Sequence, residues 1–413
     1  MTIKRRIYPP YTVLLIMYIM FIVFALIVDS PMNILLGLKK IILTPDILIT
    51  DYMEIGGIGA AFVNAALTSI ISIAILVFIG IKPNGSTIMA LWLMTGFSFF
   101  GKNILNIWPI MLGVYLFSRY QKEPFLNYTL VALLSTTLAP TVSQLSFTGL
   151  FTPGGGLIIG NIIGIFTGFI LAPIAAHCIK AHNGYNLYNI GFASGLLATL
   201  LMSILRGVGI DFDTRLIWYS GSNGIFTIFL FIICIYLIAI ALIYGENNKL
   251  NLKGISKQSG RLVSDFYLLF GPSTYINMGI LGLASTTFVL LIKGDLNGPT
   301  ICAIFTIMGF GCFGKHLKNI SPVIIGACLA AFIRTDPLNS PNIILSILFS
   351  TALAPISGKF GWKIGLLAGF LHLNMVTNIG YLHGGLNLYN NGLAAGFVAM
   401  ILIPLITTFK KEL

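Results

Sequence analysis

A chain of 413 residues that is 57% hydrophobic and only 9% charged carries far too few charges for a soluble domain, where roughly 25% is usual. Its formal net charge of +12 invites a nucleic-acid reading. The lysines and arginines stand mostly singly in loops between apolar runs, as cytoplasmic anchoring requires, so no nucleic acid is expected. The five cysteines, Cys178, Cys234, Cys302, Cys312 and Cys328, lie in or beside apolar runs and form no C-x-x-C pair; neither a disulfide framework nor a zinc site is indicated.

The chain opens on Lys4, Arg5 and Arg6 and an apolar run over 11–28. No small-residue cleavage site follows, which predicts a retained first helix rather than a signal peptide. Apolar runs continue at 55–80, 87–100, 104–118, 126–145, 156–179, 188–207 and 223–244. Six more follow at 273–292, 298–313, 320–333, 341–357, 364–380 and 389–408. The pattern predicts an all-α, polytopic integral membrane protein of about 14 transmembrane segments, with the lipid bilayer as its partner. The runs 87–100 and 298–313 are short for a full crossing at about 1.5 Å per residue. The count is about 12 if they are re-entrant.

With the N-terminus inside and every run crossing, 17 basic residues fall inside and 7 outside, the asymmetry the positive-inside rule requires. Lys102 counts outside and Lys315 inside in this tally. Both termini are then cytoplasmic in a multi-pass protein of a bacterial cell membrane. The connection 245–265 is the longest cytoplasmic one.

Four blocks of sequence occur twice in the same order. F-G-K-x-x-x-N-x-x-P places Lys102, Asn106 and Pro109 against Lys315, Asn319 and Pro322. "TTLAP" ending at Pro140 pairs with "TALAP" ending at Pro355, and Gly164 and Gly168 pair with Gly365 and Gly369. Last, H-x-G-x-N-L-Y-N-x-G-x-A-x-G runs from His182 to Gly195 and from His383 to Gly396. The chain reads as two seven-segment halves, 1–212 and 213–413. An odd number of crossings turns the second half upside down, giving an inverted-topology repeat.

The duplicated polar blocks are the candidate sites. Lys102 and Asn106, like Lys315 and Asn319, are four apart and share a helical face if helical; His316 follows the second lysine. Two ammonium groups brought together near the midplane favour a carboxylate or a small oxyanion. The alternative is that each lysine ends a helix and snorkels to the headgroups. The second block offers Asn186, Tyr188 and Asn189 with Asn387, Tyr389 and Asn390 as neutral donors and acceptors for a small-molecule solute. Its alternative is structural: asparagines capping helix starts and glycines allowing close packing. His182, His383 and Glu54 are the candidates for a proton relay. No Asp or Glu lies deep in an apolar run; Asp51 and Glu54 stand at the start of one, Glu54 being the deepest. Buried carboxylates usually serve proton and sodium coupling, so a carboxylate-driven cation pump is disfavoured. No H-E-x-x-H, G-x-S-x-G or P-loop occurs, so no metal, no cofactor and no enzymatic activity are expected.

The paired F-G-K and N-L-Y-N-x-G blocks resemble, over the whole chain, an uncharacterised family of bacterial integral membrane proteins of about this length, a domain of unknown function. That resemblance implies no activity. Two inverted halves with short third and tenth segments are also similar to the nucleobase, sulfate and bicarbonate transporter architecture. This likeness implies a substrate site between the ends of 87–100 and 298–313, at Phe100 and Phe313; that family's acidic substrate residues have no match here. "NIWP", "NISP" and "NLYNIG" are similar to blocks of urea channels, which have five spans per half and imply passive passage of a neutral solute. The expectation is a membrane transport protein moving a small polar or anionic solute between the two halves. A urea-channel-like facilitator, a non-transporting scaffold or partner subunit and an intramembrane enzyme are the alternatives. A homo-oligomer stays open.

Overall fold

The computed structural model describes residues 9–213, 215–245, 250–261 and 264–409. Lys4, Arg5, Arg6, Lys249, Lys410 and Lys411 of the charge tally lie outside these residues. Among the described residues the fold is helical, with one isolated bridge between Thr50 and Ile217.

The first half holds α1 (Pro9–Val28), α2 (Pro31–Leu43), α3 (Ile58–Ile79), α4 (Gly85–Phe97) and α5 (Ile107–Tyr120). It continues with α6 (Thr129–Phe147), α7 (Pro153–Ala181) and α8 (Asn189–Gly207). The second half holds α9 (Asn223–Gly245), α10 (Ser273–Leu291), α11 (Gly298–Phe310) and α12 (Leu317–Ile333). It ends with α13 (Pro341–Phe360), α14 (Trp362–Ile379) and α15 (Asn390–Phe409). Each of the fourteen apolar runs is helical, but among the described residues nine helices are long and apolar enough to cross a membrane. Helices α4, α11 and α12 are apolar but shorter. The structure thus shows, among the described residues, nine long apolar helices plus shorter ones. Lipid-facing apolar surface fits this class: Leu291 and Phe332 are 77% and 76% exposed on a chain that water alone would not tolerate so.

Helix α2 is an element the hydropathy runs do not contain. Ser30 caps it by accepting the Asn33 N–H at 3.2 Å, and Pro31 supplies the preset φ of a first helical position. Its apolar side chains alternate with Lys39 and Lys40, so no continuous run marks it.

Helices α6 and α13 are broken in the middle. Pro140 and Pro355 lack the N–H that would bond the carbonyls of Thr136 and Thr351, and their rings crowd those carbonyls. The chain responds by tightening into 3₁₀ turns at Thr136–Leu138 and Ser350–Leu353.

Short helices α4 and α11 lie side by side and antiparallel at the centre. Gly85, which starts α4, abuts the Cys312 carbonyl beyond the end of α11; Gly298, which starts α11, abuts the Phe99 carbonyl beyond the end of α4. Helix α8 crosses α15 where Gly191 meets Gly392 backbone to backbone. Around this centre Gly113 and Gly168 join α5 to α7, while Gly326 and Gly369 join α12 to α14. Phe21, Phe62, Phe99, Phe229 and Phe305 cluster between the halves, with Phe21 and Phe229 at 5.2 Å and Phe21 and Phe305 at 5.8 Å.

Candidate functional site

The F-G-K block is a helix ending. The Lys102 N–H reaches the Phe97 carbonyl at 3.1 Å and the Lys315 N–H reaches Phe310 at 2.8 Å, the long bond that closes a helix through a left-handed residue. Gly101 and Gly314 are those residues, with φ of 89° and 123°, a region side chains resist. A buried asparagine of the neighbouring helix satisfies two carbonyls of each turn. Asn64 donates to Ser98 at 2.7 Å and Lys102 at 2.9 Å; Asn277 donates to Gly311 at 2.7 Å and Lys315 at 2.8 Å.

Because the turn is not helical, the four-residue spacing of Lys and Asn does not put them on one face. Lys102 and Lys315 point into the interior, and both are fully buried; snorkelling is therefore overturned, and neither belongs in the loop-charge tally. The Lys102 ammonium donates to the Tyr389 hydroxyl at 2.9 Å, and the Lys315 ammonium to the Tyr188 hydroxyl at 2.6 Å and to Thr351 at 2.7 Å. Each lysine thus meets the tyrosine of the other half. Aromatic faces line both: Lys102 lies 4.9 Å from the Tyr389 ring and Lys315 4.6 Å from the Tyr188 ring. Among the described residues the ion pairs are Arg206–Asp211 and Arg334–Asp336; neither buried lysine has a carboxylate partner.

Asn106 and Asn319 fold back on their own turns. Asn106 accepts the Asn103 N–H at 2.9 Å and donates to the Gly101 carbonyl at 3.0 Å; Asn319 accepts the His316 N–H at 2.9 Å and donates to Gly314 at 2.9 Å. They brace the turns from behind and do not reach the lysine ends. His316 caps α12, accepting the Asn319 N–H at 3.3 Å, and its other ring nitrogen reaches the Gln258 carbonyl at 2.9 Å.

The N-L-Y-N motifs cross between halves. The Leu187 N–H donates to Ala352 and the Leu388 N–H to Thr137, both at 3.0 Å, on the 3₁₀ breaks of the opposite half. Asn186 donates to the Gly392 carbonyl at 3.0 Å and Asn387 to the Gly191 carbonyl at 3.3 Å. Asn387 also accepts the hydroxyls of Thr137 and Ser194 at 2.9 and 3.0 Å. The asparagine-cap expectation is overturned for α8: Tyr188 occupies the cap position without a side-chain bond. Asn189 instead donates to the Ala175 carbonyl at 3.0 Å and accepts from His182 at 2.9 Å, as Asn390 accepts from His383 at 2.8 Å. The His182 Nδ1 accepts the Asn186 N–H at 3.4 Å, which leaves Nε2 as the donor. Burial lowers both imidazoles below their ordinary range. They are clamps within their motifs, set behind the tyrosines. Glu54 is exposed, which corrects its reading as the deepest acid.

Two acids are buried instead, Asp46 and Asp51. Asp51 accepts the Gly298 N–H at the start of α11 at 3.1 Å, and Asp265 accepts the Gly85 N–H at the start of α4 at 2.8 Å. Desolvation raises both Asp46 and Asp51 to about 7. Asn64 with Asn277, and Asp51 with Asp265, carry a signal that was legible: each pair stands 213 or 214 residues apart, the offset of the F-G-K block.

A cavity of about 620 Å³ opens on one side of the centre. Its rim carries Arg206, Arg334 and Tyr381, and its floor Phe100, Phe349 and Leu388. A second cavity of about 210 Å³ lies beyond, lined by Leu187, Asn189, Phe310 and Phe313 with both Tyr188 and Tyr389. Phe313, Leu187 and Asn189 are the duplicates of Phe100, Leu388 and Asn390 of the larger cavity. Between the two is a gap of about 10 Å³ bounded by Phe97, Phe349, Leu388, Asn391 and the same two tyrosines. Such a space holds about one water. Among the described residues no three of His, Cys, Asp and Glu stand close enough to hold a metal ion.

The family described as "Protein of unknown function (DUF1576)" matches the chain over residues 30–207 and 246–408. No curated protein and no solved structure matches it.

Proposed function

We propose, for a chain that belongs to the family Protein of unknown function (DUF1576), a membrane transport function: it moves a small polar or anionic solute along a path between its two halves. One observation carries the reading. Lys102 and Lys315 are buried without a carboxylate, and each is tied to a tyrosine that lines the gap between two cavities. An unpaired ammonium in an apolar interior either loses its proton or draws an anion. Hydroxyl and aromatic neighbours alone do not compensate a charge of that kind.

The duplicated bonds and the antiparallel packing of α4 and α11 support two inverted halves. The smaller cavity is lined by the duplicates of the larger one's floor and has about a third of its volume. That asymmetry favours alternate exposure of a central site over a standing pore. In this reading both termini face the cytoplasm of a bacterial cell, and the 620 Å³ cavity faces outward. Without Lys102 and Lys315, basic residues still favour the cytoplasmic side, sixteen against six.

The test is uptake by the full-length protein in lipid vesicles, with chloride, nitrate, acetate and phosphate as anions and urea as the neutral solute. Uptake of an anion that disappears in the double variant Lys102→Ala/Lys315→Ala is the expected result. Anion uptake untouched by the double variant, or no uptake of any solute, overturns the reading. Urea uptake indifferent to the lysines would place the chain with passive facilitators of neutral solutes.

A further inference from the structure

Asp46 is fully buried in the loop between α2 and the short helix Tyr52–Gly56. Its Oδ2 accepts the Tyr52 hydroxyl at 2.8 Å, Asn106 Nδ2 at 3.0 Å and Asn103 Nδ2 at 3.4 Å. Its Oδ1 is buried without a hydrogen bond of ordinary length among the described residues, and the Ser143 hydroxyl beside the carboxyl favours its charged form. A carboxylate with one oxygen saturated and the other short of partners in an apolar setting is a place for a proton.

A bracing role for the turn does not account for the acid, because the second half builds the same turn without one. There the duplicate of Asn103 is His316, which reaches the Gln258 carbonyl at 2.9 Å, and Asn319 faces the Ser259 carbonyl at 3.5 Å. Backbone oxygens suffice. In the first half Asn106 is over-subscribed. Its amide has two N–H bonds and three acceptors: Asp46 at 3.0 Å, the Gly101 carbonyl at 3.0 Å and the Ser143 hydroxyl at 2.8 Å. An ionised Asp46 draws the amide toward itself; a neutral one releases it to Gly101 and Ser143. The charge on Asp46 therefore decides how the residue before Lys102 is held.

The other ionisable groups on the surrounding elements are engaged elsewhere or exposed. Tyr52 is the titratable group in contact. Lys102 turns its ammonium away to Tyr389. Asp51 has both oxygens on backbone N–H groups of Met53, Tyr219 and Gly298. Lys39, Lys40, Glu54 and Arg119 are exposed. The next residues of the loop, Ile47, Leu48 and Ile49, form part of the 620 Å³ cavity wall, so the carboxyl sits one residue behind that wall.

We propose that Asp46 is a proton-binding site present in the first half alone, set to gain and lose a proton at the turn that carries Lys102. Its use, coupling solute passage to protons, rests on the transport reading; the proton site itself does not. Burial raises this carboxyl toward neutrality, which suits reversible loading at physiological pH.

The experiment is an infrared titration of the full-length protein from about pH 5 to about pH 9, comparing the native chain with Asp46→Asn and Tyr52→Phe. The expected difference between native and Asp46→Asn spectra is a protonated-carboxyl band that fades as pH rises through about 7. Tyr52→Phe removes a donor that favours the ionised form, so its band must fade at higher pH. Spectra of the native chain and Asp46→Asn that agree at every pH overturn the proposal. Should Asp46→Asn fail to fold, Tyr52→Phe decides alone: an upward shift supports the site and an unmoved midpoint overturns it. These spectra do not depend on any solute moving, so loss of the transport reading leaves them intact.

Discussion

Lys102 lies in the first half and donates its buried ammonium to the hydroxyl of Tyr389 in the second, at 2.9 Å. Lys315 and Tyr188 repeat the exchange in the opposite direction at 2.6 Å. Because each half completes the other's polar site, a change on one side is felt on both.

Lys102→Met and Lys315→Met remove charge while keeping length. Each is expected to lower anion uptake in vesicles by at least tenfold, about 1.4 kcal/mol. Thermal stability should stay level or rise, since an apolar side chain replaces a buried charge that lacks an opposite partner. Uptake and melting measured on the same preparations check both halves of this statement.

Tyr389→Phe and Tyr188→Phe should differ. Without Tyr389 the Lys102 ammonium keeps only the Met94 sulfur at 3.6 Å, whereas Lys315 retains Thr351 at 2.7 Å. An unsatisfied buried donor costs about 1–3 kcal/mol, so Tyr389→Phe should show the larger drop in melting temperature. Equal drops would contradict the two hydrogen-bond sets.

Gly101→Ala should destabilise by about 1–2 kcal/mol from the left-handed backbone alone. The added methyl would also press on Leu388 at the floor of the larger cavity. A control at Gly207, where an added methyl meets open space, should be close to neutral by the same melting assay.

Stability should fall with rising pH on account of Asp46. Its folded pKa, raised to about 7 by burial, exceeds the unfolded value of about 3.9. The folded state therefore binds the extra proton between those values. Its advantage is complete below about pH 4 and lost as pH rises through about 7, at about 1.4 kcal/mol per pH unit across that window. Asp46→Asn should remove this contribution from a melting-temperature profile and leave the like contribution of Asp51, which burial also raises to about 7.

Ser346 faces the larger cavity and its duplicate Val131 the smaller one. In intact cells a membrane-impermeant thiol reagent should label Ser346→Cys and spare Val131→Cys. The reverse pattern would turn the outward assignment of the open cavity around.

The paired blocks and their order were legible in the linear chain because duplication leaves its trace at offsets of 201 to 215 residues. Polar residues such as Lys102, Asn186 and Tyr389 recur where an apolar background would not repeat them by accident. All fourteen apolar runs became helices for the plain reason that hydrocarbon demands internal backbone bonding. Helix α2 escaped because an amphipathic stretch with two lysines leaves no continuous run.

The class of molecule, the helical runs and the identity of the paired blocks could be read from the letters alone. These follow from hydropathy and repetition, which can be read along the chain without knowing what packs against what. Packing in three dimensions sets Lys102 and Asn106 facing opposite ways, because a glycine at positive φ ends the helix between Phe97 and Lys102. It alone decided which tyrosine meets which lysine, since that contact joins residues 287 apart. It also decided that Asp46, unremarkable in a loop, is sealed from water while Glu54 is not. Burial is a property of what packs around a residue, and nothing in the neighbouring letters records it.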